Sequence, residues 1–302
     1  MPGGATGQFS AIPLNIGKRN HAVSRPKASY LVTGKWSQAA YEEALNFIDA
    51  KLVVPIPETF NSVPSRSTWQ FVPDASYFYF CMNETSNGID IPKVDVPDGT
   101  IVVADASSVL MTRNIDITRY GIIFACAQKN LGIPGVTLVI MRKDLLGHAS
   151  HICPNTLNYS LMSTKLSSYS VPNIFAIYIM KLMIEYVDNN GGMDTFADIN
   201  RDKADKIYIN IDDSKGFYFC PIPKVNRSKV NIVFRIGGRH GNAELEEKFL
   251  EEARIKNYIG LQGDPTVGGL RASLYNSVTM SDVRDLSSFM YEFRTENQDA
   301  VF

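Results

Sequence analysis

Over its first two thirds the chain alternates short runs of β-branched and aromatic residues with stretches of helical period, the pattern of an α/β domain on a mostly parallel sheet flanked by helices. Strands are expected at 29–33, 51–56, 77–82, 101–105, 121–127 and 136–142. Most are unbroken apolar runs rather than alternating ones, so the sheet should be covered on both faces. Residues 8–16 read as a helix, and 37–49 as another, with Ser37 at its N-cap and Ala40, Ala44, Phe47 and Ile48 on one face. The stretch 57–73 is rich in Pro, Ser and Asn without helical period, which predicts a surface excursion between two strands.

A long helix is expected from about 173 to 188, closed by Asn189-Asn190-Gly191-Gly192, residues suited to left-handed backbone. That break predicts a domain boundary, with a large domain over 1–190 and a small C-terminal α/β domain over 191–302. Within the small domain, strands are expected at 216–221, 230–236 and 271–275, a charged helix at 243–256 and a final helix at 281–296. Segment 171–187 is the most apolar of the chain. Lys181 and Glu185 interrupt it, which a buried helix of a soluble protein tolerates better than a membrane span does.

At 302 residues and 45% hydrophobic, the chain can bury a large core. A net charge of -1 and the lack of any sustained Lys/Arg block leave no electrostatic case for nucleic acid. Cys81, Cys126, Cys153 and Cys220 are far apart, three of them in apolar runs, and read as unpaired thiols. The first residues have neither a basic nor an apolar block of a secretory signal, so the expected compartment is the cytoplasm. His21, His148, His151 and His240 show no ligand spacing and no nucleophile partner, and neither a catalytic nor a metal role is expected of them.

Two strand ends carry candidate chemistry. Asp105 closes Ile-Val-Val-Ala-Asp, and Lys129 follows the next apolar run. If these strands are parallel, both side chains emerge at one carboxyl edge of the sheet, where ligands of open α/β sheets bind. A carboxylate there can pair with a protonated pyridine nitrogen, and a lysine can hold an aldehyde and move protons, as pyridoxal phosphate chemistry requires. Taken singly, each reads first as a solvated charge ending its strand. Gly3-Gly4-Ala5-Thr6-Gly7-Gln8 opens a helix with small residues whose N–H groups could cradle a phosphate. Trp36 and Thr85 both follow strands and could stack on, and donate to, a cofactor ring; packing and turn roles are the alternatives. Arg271 stands in a small, apolar stretch and could clamp a carboxylate or form a structural ion pair.

The ordered set GGATGQFSAIPLN, VTGKWS, NETSNG, ADASS, AQKN, NRSKVNIVFRI and VGGLRASLYN resembles the phosphoserine aminotransferase family, class V of the fold-type I pyridoxal phosphate enzymes. The resemblance runs along nearly the whole chain. It implies that Lys129 attaches the cofactor pyridoxal 5'-phosphate, Asp105 meets the pyridine nitrogen, Trp36 stacks on the ring and Thr85 touches the ring hydroxyl. It assigns the cofactor phosphate to Ala5, Thr6 and Gln128, and the substrate α-carboxylate to Arg271. It further implies a homodimer with sites at the subunit interface. The reaction would pass an amino group between glutamate and 3-phosphohydroxypyruvate, giving phosphoserine and 2-oxoglutarate in serine biosynthesis.

Three departures from the family pattern open a second reading. The family carries a segment ahead of the Gly-Gly motif with a substrate-binding His-Arg pair, and this chain starts almost on the motif. A second family His-Arg pair, before Val-Gly-Gly, is here Asp264-Pro265, which replaces attraction for a dianion with repulsion. The family's Asn-Thr, which reaches the neighbouring subunit's cofactor phosphate, is here Ser170-Val171, leaving Ser170 as the polar contributor. The alternatives are therefore a phosphoserine transaminase and a homologue that keeps the fold and the cofactor but is impaired or substrate-shifted, acting as a partner subunit.

Overall fold

The computed structural model describes residues 1–17 and 25–300; His21 lies outside them. Helix α1 (Gly4–Ile16) leads, after the undescribed stretch, to β1 (Lys27–Tyr30), α2 (Lys35–Ala44), β2 (Asp49–Leu52) and β3 (Phe78–Cys81). A short hairpin follows, β4 (Asn83–Glu84) and β5 (Ile89–Asp90), then β6 (Val102–Asp105), β7 (Ile122–Cys126) and β8 (Thr137–Met141). The main sheet has the order β2-β1-β3-β6-β7-β8. Its first five strands are parallel and β8 is antiparallel to β7, so the predicted mostly parallel sheet stands, with one reversed edge.

Alternation along the strands divides the core. Tyr30, Tyr79, Ile122 and Phe124 face Phe9 and Ile12 of α1 and Ala40 and Ala44 of α2. On the opposite face, Leu31, Phe78, Phe80, Ala104 and Ile123 belong to a cluster that continues into the C-terminal third through Phe217, Phe234, Phe249 and Phe293. β3, β6 and β7 are buried throughout, as unbroken apolar strands should be, whereas β8 is mostly half-buried.

The remaining elements are α3 (Tyr159–Thr164), α4 (Ile174–Asn189), α5 (Gly192–Asp212), β9 (Tyr218–Phe219), β10 (Asn231–Ile236), α6 (Ala243–Ile255), β11 (Leu270–Ser273) and α7 (Met280–Asn297). β9, β10 and β11 form an antiparallel sheet in the order β11-β10-β9.

Four sequence expectations are corrected. Ser37 is not the N-cap of α2: Gly34 is, and Ser37 lies inside the helix, its hydroxyl accepting the N–H groups of Thr33 and Gly34 at 2.9 and 3.2 Å. The strand expected at 51–56 is β2, which begins earlier because Asp49–Leu52 pair with β1, and ends before Pro55 and Pro57, which cannot extend a ladder. α5 has no counterpart among the predicted elements. Its buried face is Phe196, Asn200, Lys203, Ala204, Ile207, Tyr208 and Ile211, and the two polar members interrupt the apolar stripe that would have revealed it. Finally, α4 is not buried within the chain. Only Ala176 and Val187 are, while Ile174, Phe175 and Tyr178 are 69, 64 and 53% exposed. Among the described residues no helix is long and apolar enough to cross a membrane.

Candidate active site

β6 and β7 run parallel with Asp105 paired to Phe124, so both strands end at the same edge of the sheet. Asp105 is buried, and one carboxylate oxygen accepts the Ser107 N–H at 2.8 Å. Burial raises its pKa above the usual carboxylate value, opposed by the Ser107 hydrogen bonds and the Lys129 charge. Three residues beyond β7, Lys129 sits in a turn held from two sides. The Ala127 N–H donates to the Val136 carbonyl at 2.9 Å, and the Asn130 side chain donates to the Ser108 carbonyl at 3.3 Å. Asn130 Oδ1 in turn accepts the Asn276 N–H at 3.0 Å, and Asn276 Oδ1 accepts from Asn200 of α5 at 2.9 Å. A chain of buried amides thus ties the unforeseen helix to the lysine turn.

Lys129 Nζ donates to Thr85 Oγ1 at 2.6 Å. Thr85 lies in the turn between β4 and β5, and its carbonyl accepts Arg271 Nη1 at 3.5 Å. Glu84, just before it, is fully buried, and its carboxylate accepts the backbone N–H groups of Trp36 and Ser37 at 3.0 and 2.9 Å. The start of α2 is therefore capped by a side chain from another element. Burial raises the Glu84 pKa against those hydrogen bonds. Gly34 makes room for this contact, since a Cβ there would lie 2.6 Å from Glu84 Cδ.

These groups surround a cavity of about 150 Å³ lined by Gly4, Ala5, Thr6, Trp36, Thr85, Asp105, Gln128 and Lys129, with Cys81, Asn83, Ser107, Ser108 and Cys126 completing the wall. At one side is the start of α1, where Gly3 and Gly4 take φ of +93° and +61°, backbone that side chains disfavour. First-turn N–H groups have no acceptor within their helix and favour anions. Two buried polar atoms of the lining residues, Trp36 Nε1 and Asn83 Oδ1, have no hydrogen-bond partner within the described chain. Burial raises the Cys81 and Cys126 thiols, which keeps them protonated and poorly nucleophilic.

Seven sequence candidates therefore meet in one cavity: Ala5, Thr6, Trp36, Thr85, Asp105, Gln128 and Lys129. Arg271 reaches it through Thr85. Ser170 does not join them; it precedes α4 beside Val171, which is 98% exposed. Among the described histidines, His240 lines a separate cavity of about 920 Å³ together with Lys35, Arg235, Arg239 and Thr266, and none lines the smaller one. No group of three His, Cys, Asp or Glu among the described residues could hold a metal. The roles of Glu84, Asn83 and Ser108 are not legible in NETSNG and ADASS, because they depend on partners far away in the chain; Ser107 could have been found from its place two residues after Asp105.

A family model described as aminotransferase class-V matches residues 3–286. The chain is 40% identical over 301 residues to the phosphoserine aminotransferase of Drosophila melanogaster, covering 99% of this chain and 81% of that one. It is 42% identical over 296 residues to a probable phosphoserine aminotransferase of Caenorhabditis elegans, covering 97% and 78%. Among solved structures, the phosphoserine aminotransferase of Bacillus circulans subsp. alkalophilus superposes with a TM-score of 0.92 at 32% identity, over 98% of this chain and 80% of that one. A pyridoxal-phosphate-bound phosphoserine aminotransferase from Trichomonas vaginalis superposes with a TM-score of 0.89 at 34% identity, over 96% and 81%.

Proposed function

The chain belongs to the class-V aminotransferases, within the phosphoserine aminotransferase family, and from that premise we propose that it exchanges the amino group of glutamate or phosphoserine with 3-phosphohydroxypyruvate or 2-oxoglutarate, using pyridoxal phosphate on Lys129. The observation that carries this reading is the meeting of Lys129, Thr85 and Asp105 in one cavity beside the start of α1. The cavity's residues suit the cofactor. Buried Asp105 offers a carboxylate to a cationic ring nitrogen, Asn83 Oδ1 and Trp36 Nε1 are unsatisfied, and Gly4, Ala5 and Thr6 offer amide N–H groups and a hydroxyl to a phosphate.

Pyridoxal phosphate, when bound, supplies an electron sink that lets an amino acid lose its α-proton. The chain's own part is to hold and move charge. Lys129 would accept and return the α-proton at Nζ, with Thr85 Oγ1 fixing that nitrogen in place. Asp105, surrounded by apolar strands, would hold the ring nitrogen protonated. Trp36, anchored through Glu84, would cover one ring face, with Gln128 and Thr6 at the phosphate end. Arg271 would hold the α-carboxylate by paired hydrogen bonds.

Residues 1–190 would form the cofactor-binding domain and 191–302 the smaller one. The exposed apolar side of α4 supports a homodimer, in which Ser170 would reach the cofactor phosphate of a second copy. Borohydride reduction of the purified holoenzyme should fix cofactor to the chain, and Lys129→Ala should lose most of that label. Undiminished trapping in Lys129→Ala would overturn the assignment. A substrate-shifted homologue is the second reading, and the surroundings of Asp264 are the observation that favours it.

A further inference from the structure

Residues 261–271 form a loop closed at its neck. The Gly263 N–H donates to the Gly269 carbonyl and the Arg271 N–H to the Leu261 carbonyl, at 2.9 and 2.8 Å. The two arms approach so closely that a Cβ at Gly263 would lie 2.3 Å from the Gly268 carbonyl oxygen. The loop runs directly into Arg271, whose own guanidinium is lightly held. Its Nη1 donates to the Thr85 carbonyl at 3.5 Å, and its buried Nε has no partner within the described chain. Where that guanidinium lies therefore depends on what holds the loop.

Asp264 holds it. Its backbone carbonyl accepts the N–H groups of Val267 and Gly268 at 2.9 and 2.8 Å, and its carboxylate accepts the N–H and hydroxyl of Thr266 at 3.0 and 2.7 Å, which shapes the tip. The same carboxylate accepts the Ser86 hydroxyl at 2.8 Å and Lys35 Nζ at 3.0 and 3.2 Å, from 178 and 229 positions earlier in the chain. Ser86 and Lys35 belong to one anchored unit. The Lys35 N–H donates to Asn87 Oδ1 at 3.2 Å, Glu84 takes the next two N–H groups, and the Gly88 N–H closes the turn on the Glu84 carbonyl at 2.8 Å. Among the described residues, no other side chain of 262–269 hydrogen-bonds this unit.

Resting on the reading of Arg271 as the holder of the α-carboxylate, we infer that Asp264 is a positioning residue. It fastens the 261–271 loop to the Thr85–Ser86 turn, and so presets Arg271 on the turn that also steadies Lys129 before any substrate arrives. Asp264 lines neither cavity, so it acts through the loop rather than on a ligand. Partial burial tends to raise its carboxyl, but hydrogen bonds from Thr266, Ser86 and Lys35 outweigh it and hold the group well below the usual carboxylate range, so the fastening is charged at neutral pH. The Asp264 side chain is only 11% exposed and gathers several donors, which holds it more firmly than a surface ion pair would. Lys35 is 41% exposed, and its share is the smaller. With the loop unfastened, Arg271 would have to be ordered by the substrate itself, which weakens binding. The α-carboxylate is common to amino donor and oxo-acid acceptor, so the loss falls on both alike. The bond from Lys129 to Thr85 lies on the anchored side and stays.

The test compares the wild-type holoenzyme with Asp264→Ala, Asp264→Asn and Lys35→Met. Amide hydrogen exchange without substrate should quicken about tenfold over 261–271 in Asp264→Ala and stay as in wild type over 122–131, the stretch bearing Lys129. KM for O-phosphoserine and KM for 2-oxoglutarate should rise together by about tenfold, with kcat within about twofold of wild type. Asp264→Asn keeps an acceptor for Thr266, and Lys35→Met keeps the carboxylate, so both should shift the same way by less. Either one decides the question if Asp264→Ala does not fold. Unchanged exchange over 261–271, an unchanged KM for either substrate, or a fall confined to kcat would overturn the inference. Should wild type turn over neither substrate, the transaminase reading fails, and affinity for 3-phosphoglycerate by calorimetry takes the place of KM. A loss of about tenfold in Asp264→Ala then upholds the positioning role, and equal affinity, or none in wild type, overturns it.

Discussion

Lys203 shows how one side chain can set a pH dependence far from any ligand. It is buried on the inner face of α5, and its Nζ donates to the carbonyls of Leu274, Tyr275 and Val278 at 2.9, 3.0 and 3.0 Å. Burial pulls its pKa down from 10.5 to about 8, with Asp282 opposing. Below pH 8 the lysine is charged in both folded and unfolded chains, and the burial penalty is fully present. Between about pH 8 and 10.5 the folded chain sheds the proton while the unfolded chain keeps it, so the penalty lifts and stability rises with pH. Wild type should therefore gain about 1–2 kcal/mol relative to Lys203→Met between pH 7.5 and 9.5. Denaturant titrations at the two pH values, with other titrating groups common to both proteins, measure that difference; a constant gap would refute it.

Helix α2 shows what sequence reading can and cannot reach at the level of an element. Its apolar face was legible in part: Ala40 and Ala44 are buried as their spacing requires, but the helix ends at Ala44, so Phe47 and Ile48, placed on the same face, lie beyond it. Its start was not, because the N-cap is Gly34 and the N–H groups of Trp36 and Ser37 are taken by Glu84, reached across the fold. The same division holds for the site. Asp105 and Lys129 could be found from strand ends and their order among other motifs, but Glu84 and the Asp264–Lys35 pair join residues 48 and 229 positions apart and leave no local trace. α5 was hidden because Asn200 and Lys203 occupy positions where a helix of this length normally shows apolar residues. Gly34→Ala tests the close approach directly. Its methyl would collide with Glu84, so the variant should lose about 1–3 kcal/mol of stability. It should also bind pyridoxal phosphate more weakly, because Trp36 starts from the same turn. A denaturation midpoint and a cofactor titration equal to wild type would show that the helix start shifts freely.

For the molecule as a whole, the outer side of α4 is the feature least explained by a single chain. Ile174, Phe175, Tyr178 and Leu182 are all exposed on one helix, a concentration of apolar surface that a lone soluble chain rarely presents. Wild type should sediment as a dimer at micromolar concentration, and Phe175→Glu with Tyr178→Glu should sediment as a single chain. A wild type that sediments as single chains would leave that surface for another partner. Within the chain, the amide series from Asn200 through Asn276 and Asn130 to Ser108 has a further consequence. α5 cannot come away without breaking a series that ends on the turn bearing Lys129, so opening of the one is coupled to opening of the other. A ligand gripped at Lys129 should therefore slow proteolysis within α5, as a keystone keeps stones it does not touch.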